Sequence, residues 1–241
     1  MKKYTPDLIF FLLCSGNLAF AQVTLSSSKL PIVIITTENA TSIPNEPKVN
    51  ADLEIIYNGE GKMNSVTDVS RNYKGKIGIE LRGSSSQDLS PKKPYGIETR
   101  NVDGSNLNVS LLGMPKENDW VLLAPYSDKS LIRDVLIHRI ASEIMPYTSR
   151  SKLCEVMVNG QYQGVYVLME KIKRDKNRVN INELLPRHTS GDSLTGGYIL
   201  KVDKTTGSQA QGGFNTQVFS PTGRRTFYQY DEPEANVITS G

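Results

Sequence analysis

Apolar and polar residues alternate with a strand period through most of the chain. Residues 30–37 (LPIVIITT) form an unbroken β-branched run, the pattern of a buried strand. Residues 52–57 alternate and end at Asn58-Gly59, a dipeptide that favours hairpin turns because both residues tolerate positive φ. Residues 74–82 (KGKIGIELR) place Ile77, Ile79 and Leu81 on one face. Residues 94–99 return as the partner strand, so the stretch between is a long hairpin tip. Residues 106–112 and 120–124 read as further strands.

Helical spacing dominates in residues 130–145, where Leu131, Ile132, Val135, Leu136, Ile140 and Ile144 recur along one side. Ser127 or Asp128 can cap the start, and Pro146 stops the helix. A second hairpin follows: residues 153–158, a turn at Asn159-Gly160-Gln161, and residues 162–169. A charged run (EKIKRDKNR) leads to a short element at 180–185. Gly196-Gly197 opens a strand at 198–202, and RRTFYQY reads as a late strand. This order predicts an α+β arrangement, an antiparallel sheet backed by one main helix.

Composition narrows the function classes. The 241 residues suffice for a sizeable core, and a net charge of +3 without basic runs interleaved with aromatics argues against nucleic acid as a partner. The N-terminus departs from the rest. Met1-Lys2-Lys3 is a positive leader, residues 8–13 are apolar, and Ala19-Phe20-Ala21 is an A-x-A cleavage signal before Gln22. Residues 1–21 are therefore expected to be a signal peptide and residues 22–241 a single exported domain, the mature chain having no transmembrane span. Cys14 would leave with the signal, leaving Cys154 without a disulfide partner. One Cys and two distant histidines do not make a zinc site. Gly191-Asp192-Ser193-Leu194 spells an esterase signature, but no histidine follows His188 to activate the serine, so a polar turn accounts for it. His138 lies one helical turn after Asp134, a spacing that suits a surface ion pair better than catalysis.

The hairpin tip RGSSSQDLSPKKPYGIETR (residues 82–100) gathers groups that seek anions. Arg82 is a charge-assisted donor. Gly83 and the serines 84–86 let backbone N–H groups approach phosphate oxygens. Lys93 enters a strand on the same face as Tyr95 and Ile97, and Lys92 faces the other way. The residues alone leave two readings open: a phosphate loop, or a solvated turn.

Four blocks occur in order: RGSSSQDLSPKKPYGIE, NDWVLLAPYSDKSLIRD, VMVNGQYQGVYVLMEKIKRDKNRVNI and GGYILKVDK. Together they resemble the spore coat protein H (CotH) kinase family of atypical protein kinases, over about residues 30–204. The resemblance implies a protein-kinase-like N-lobe and phosphorylation of protein hydroxyls with ATP and Mg2+ or another divalent metal. It implies nucleotide binding by Arg82, Ser84, Ser85 and Lys93. Glu170, where a kinase hinge would lie, joins the nucleotide site or is a plain surface charge. The helix start at Asp128 to Arg133 either attracts an anion through its free N–H groups or is a capped, solvated first turn with Arg133 paired to Asp134 or Glu143, and Glu143 is the candidate for the helix glutamate of ordinary kinases. The family's metal motif, which resembles W-D-x-D-x-x-F-G, and its catalytic aspartate do not occur, since Trp120 is the only tryptophan. The catalytic residues are therefore unknown and expected beyond Gly241, no metal ligand is assigned, and the chain is expected to hold the nucleotide-binding part and to be inactive alone. The alternative is a non-catalytic surface or adhesion protein on the same scaffold.

Overall fold

The computed structural model describes residues 23–203, 212–234 and 238, so the expected signal peptide lies outside the described residues. The elements in chain order are β1 (Ser27–Ser28), β2 (Ile32–Thr37), β3 (Val49–Ile56), β4 (Asn64–Ser65), β5 (Tyr73–Leu81), α1 (Ser85–Leu89), β6 (Tyr95–Arg100) and β7 (Asp119–Leu123). There follow α2 (Arg133–Ala141), β8 (Ser151–Val158), β9 (Gln161–Glu170), α3 (Asp192–Thr195), β10 (Ile199–Lys201), β11 (Gly213–Phe219) and β12 (Arg225–Glu232).

Seven strands close into a barrel in the order β2-β3-β5-β6-β7-β9-β8. Every pairing is antiparallel except the closing one, where β2 runs parallel to β8 with Ile32 opposite Glu155 and Ile35 opposite Val158. The inward residues of the barrel strands form one core that includes Val33, Ile35, Leu53, Ile55, Ile77, Ile79, Ile97, Trp120, Leu122, Tyr166 and Leu168. Burying each such side chain contributes about 1.5–3 kcal/mol. A separate three-stranded antiparallel sheet, β10-β12-β11, follows in the chain.

This architecture corrects the expectation of an α+β, protein-kinase-like N-lobe made of an antiparallel sheet with one main helix. The described chain is mostly β, and its largest unit is a closed mixed barrel. The alternation of β5 and β6 led to the right local pairing, with Ile79 opposite Ile97. The barrel closure joins segments far apart in sequence, which local periodicity does not reveal. Residues 106–112 form isolated bridges and no strand, residues 180–185 form neither helix nor strand, and β11 has no counterpart among the expected elements. Asn58-Gly59 starts a loop held by Asn58 Nδ2 donating to Asp68 at 2.8 Å, and β3 pairs with β5 across this longer loop, with Ile55 opposite Tyr73, rather than through a tight two-residue turn. The Asn159-Gly160 turn is as expected: both residues have positive φ, 49° and 76°, which matches the twist of the flanking strands.

The expected main helix contracts to the nine residues of α2, none of which is buried. Its apolar side chains are real but uncovered: Leu136 is 52% exposed and Ile140 54% exposed. His138 Nδ1 contacts Thr148 Oγ1 at 2.5 Å rather than Asp134. Arg133 lies 3.4 Å from Asp128, and Glu143 pairs with Arg139 at 3.0 Å. Asp128 holds the turn before the helix, its carboxylate accepting from the backbone N–H of Arg133 at 2.9 Å and of Ser130 at 3.0 Å. The Arg133 N–H and the Ser130 hydroxyl pull its pKa from 3.8 to about 2. A depressed carboxylate stabilises the fold above its unfolded pKa, and the contribution disappears as pH falls through the folded one. Asp128→Asn should therefore flatten the loss of stability between about pH 4 and about pH 2. Denaturant melts of both chains across that window check this, and parallel pH profiles would contradict it.

Candidate functional site

A cavity of about 380 Å³ opens between the β5–β6 hairpin, β7, the segment after β9 and the second sheet. Its apolar wall includes Leu81, Ile97, Trp120, Val121 and Leu123. Its polar lining carries four cations (Lys48, Arg82, Lys171, Lys201) and four carboxylates (Glu46, Glu80, Asp119, Asp203). Net charge therefore does not decide what the cavity attracts; the local pairing does. Lys48 neutralises Glu80 at 3.3 Å. Lys201 is committed to Asp231 at 2.8 Å. Lys173 reaches Asp119 at 2.7 Å and Glu117 at 2.9 Å. Burial pushes Asp119 up, but Lys173, with Lys171 and Lys48, holds its carboxyl below the usual range. Burial lowers the Lys173 pKa, yet Asp119 and Glu117 outweigh it and raise the ammonium above its ordinary value. The side chains of Arg82 and Lys171 are left without a hydrogen-bond or ion-pair partner among the described residues.

Arg82 presents an exposed residue surface, although the protein around its guanidinium is dense enough to lower its pKa. Asp203, Asp231 and Glu80 pull in the opposite direction. Guanidinium groups titrate so far above neutrality that the charge persists. Gly83 beside it has φ of +91°, a conformation that a side chain would strain, and an added Cβ would run into the Ser86 hydroxyl.

Beneath the cavity wall lies a buried charge network. Glu170 is 1% exposed and Arg178 3% exposed. The Glu170 carboxylate accepts from Arg150 Nη1 at 2.7 Å, from the Arg150 backbone at 3.0 Å and from the Tyr147 hydroxyl at 3.3 Å. Burial beside this carboxylate pushes the Tyr147 hydroxyl up to about 12. Arg178 donates to the Lys171 carbonyl at 2.7 Å and the Asp119 carbonyl at 2.9 Å, and its guanidinium stacks over Trp120, 5.3 Å from the ring centre. The charged run EKIKRDKNR thus carries two buried charges, Glu170 and Arg178.

The sequence-derived site residues divide. Arg82 and Ser84 line the cavity; Ser85, Lys93 and Glu170 are not among its lining residues. The Lys93 ammonium donates to the carbonyls of Gln87 and, at 2.8 Å, Ser90, so it clamps the α1 loop from within. Its own carbonyl accepts from the Tyr166 hydroxyl at 3.0 Å. Tyr95 and Ile97, which share the Lys93 face in the sequence pattern, point into the core. Lys92 reaches the Val165 carbonyl and lies 4.6 Å above the Tyr166 ring, and burial lowers its pKa. Sequence reasoning missed Lys48, Lys171, Lys201 and Gln229. Only Lys171, adjacent to the hinge candidate Glu170, had a signal that could have found it. Among the described residues no group of three or more His, Cys, Asp or Glu side chains could hold a metal ion, and no helix is long and apolar enough to cross a membrane.

The barrel wall, the glycine turn and the cleft beside them form a candidate site on a β scaffold. Residues 79–239 match the CotH kinase protein family model, and the chain belongs to that family. The matched region begins within β5, so β2 and β3, which close the barrel, precede it. No curated protein matches the chain.

Proposed function

We propose that the protein is an exported atypical protein kinase of CotH type and that this chain binds the nucleotide. The observation that carries the reading is the pair of uncommitted cations, Arg82 and Lys171, on a cavity of about 380 Å³ with an apolar wall. That volume lies within the usual range for small-molecule sites. Phosphates suit the Arg82–Gly83 rim, where a cation and a close-approach glycine adjoin, and a base suits the wall of Val121 and Leu123. The donor is ATP, and a protein hydroxyl is the proposed acceptor. Mg2+ beside a nucleotide is usually held by one or two carboxylates together with the phosphates, and the contribution assigned to these residues is binding and orientation of the nucleotide. The leader pattern of residues 1–21 supports export.

Titration calorimetry of the chain with ATP tests the reading. Arg82→Ala should weaken binding about tenfold or more, the effect of losing a hydrogen bond to a charged group of about 1.5–3 kcal/mol. Lys93→Ala should do less, because Lys93 holds loop carbonyls. A larger loss at Lys93 than at Arg82 would mean that Lys93 leaves those carbonyls for phosphate. Failure of the unmutated chain to bind ATP would favour the rival, a non-catalytic surface or adhesion protein. The exposed apolar side chains of α2, among them Ile137 at 59% exposed, are the observation on that side.

A further inference from the structure

We propose that Gln229 accepts a hydrogen bond from a sugar hydroxyl of the bound nucleotide, so that the cavity prefers ribonucleotides to deoxynucleotides. The inference rests on the nucleotide reading above and names the part of the ligand that one residue reads.

Gln229 lies on β12, is fully buried and lines the cavity. Its Nε2 donates to the Asp203 carbonyl at 2.6 Å. That bond fixes which way the amide lies, since turning it over would set its oxygen against the Asp203 oxygen. The other end, Oε1, is then a buried acceptor with no partner. Leaving such a group unmet is costly, and buried polar groups without partners are uncommon in native proteins. The space that can supply the partner is the cavity that Gln229 lines.

The missing partner must be a donor. A phosphate group offers only acceptor oxygens at neutral pH and would repel Oε1. Gln229 nevertheless shares the cavity with the Arg82–Gly83 rim, because it is anchored on the Asp203 carbonyl and Asp203, Arg82 and Gly83 line the same cavity. Outward from the phosphates of a nucleoside triphosphate, the first donors are the hydroxyls of the sugar, and the amino group of the base lies further along. A sugar hydroxyl therefore meets both requirements, donor character and closeness to the phosphates.

The test measures ATP, 2′-deoxy-ATP and 3′-deoxy-ATP binding to the full chain and to Gln229→Met, which keeps the side-chain length and removes the acceptor. The full chain should bind ATP about five- to tenfold more tightly than one of the two deoxynucleotides, as expected for one hydrogen bond. Gln229→Met should weaken ATP by a similar factor and abolish that preference. A purely structural role would weaken all three nucleotides alike and keep the ratio. If Gln229→Met does not fold, the ratio in the unmutated chain still decides. Equal affinities there overturn the inference and leave nucleotide binding standing; no ATP binding at all overturns both.

Discussion

Trp120→Ala is expected to lower the unfolding free energy by about 3–5 kcal/mol, the usual cost of truncating a buried aromatic. Trp120 sits where core and cavity share a wall. It is 1% exposed, opposite Ile97 on one neighbouring strand and Glu170 on the other. Its Nε1 donates to the Glu117 carbonyl at 3.1 Å. Truncation leaves a void beside Ile97 and Leu122, strips the stacking surface from Arg178 and removes part of the cavity wall. Trp120→Phe retains most of the ring and loses the indole hydrogen bond, so it should cost nearer 1 kcal/mol, the net value of such a bond. Denaturant unfolding of the three proteins checks the ranking. A Trp120→Ala chain within 1 kcal/mol of the parent would mean that the barrel collapses onto the void, contrary to the rigid packing expected of interiors.

What the sequence revealed depended on distance along the chain. β5 and β6 were legible because their alternation is local and their partners are close: Ile77, Ile79, Tyr95 and Ile97 all face the core. The parallel contact of β2 with β8 was not, because nothing in either run names the other. Residues 130–145 state that one helical side is apolar but not what covers it, and the structure leaves Leu136 and Ile140 in solvent. The family was legible from four motif blocks, whereas the α+β arrangement read from the element order, and the kinase-like N-lobe implied by the resemblance, did not survive the barrel closure. Glu170 was open between a site residue and a surface charge, yet a signal existed. It shares a strand face with Tyr166 and Leu168, both buried, and the period of two points it inward. Its counter-charges carried no such signal, because Arg150 and Arg178 come from segments without a period. Gln229 was likewise invisible: the pattern of RRTFYQY places a strand but cannot show that a cavity meets it.

Arg178→Met is expected to cost about 3 kcal/mol, near the lower end for removing one partner of a buried ion pair. The lower end applies because its carboxylates keep other cations: Glu117 retains Lys173 and Glu170 retains Arg150. What they lose is still large. The Arg178 side chain is 1% exposed and stands 3.3 Å from Glu117 and 3.9 Å from Glu170, whose side chain is 0% exposed. The carbonyls of Lys171 and Asp119 lose their guanidinium donors as well. Arg178→Lys keeps the charge but cannot reach both carbonyls with a planar fork, so it should fall between parent and methionine. Both Lys171 and Asp119 line the cavity, so ATP affinity should fall with stability in the same order. Combining Arg178→Met with Trp120→Ala distinguishes a joined network from two separate losses. The guanidinium rests on the indole, and the alanine variant has already removed that contact, so the double mutant should lose less than the two single losses added together. Neighbours in contact typically couple by about 0.5–3 kcal/mol. Strict additivity would mean that the stacking contributes nothing and that Arg178 acts through its hydrogen bonds and ion pairs alone.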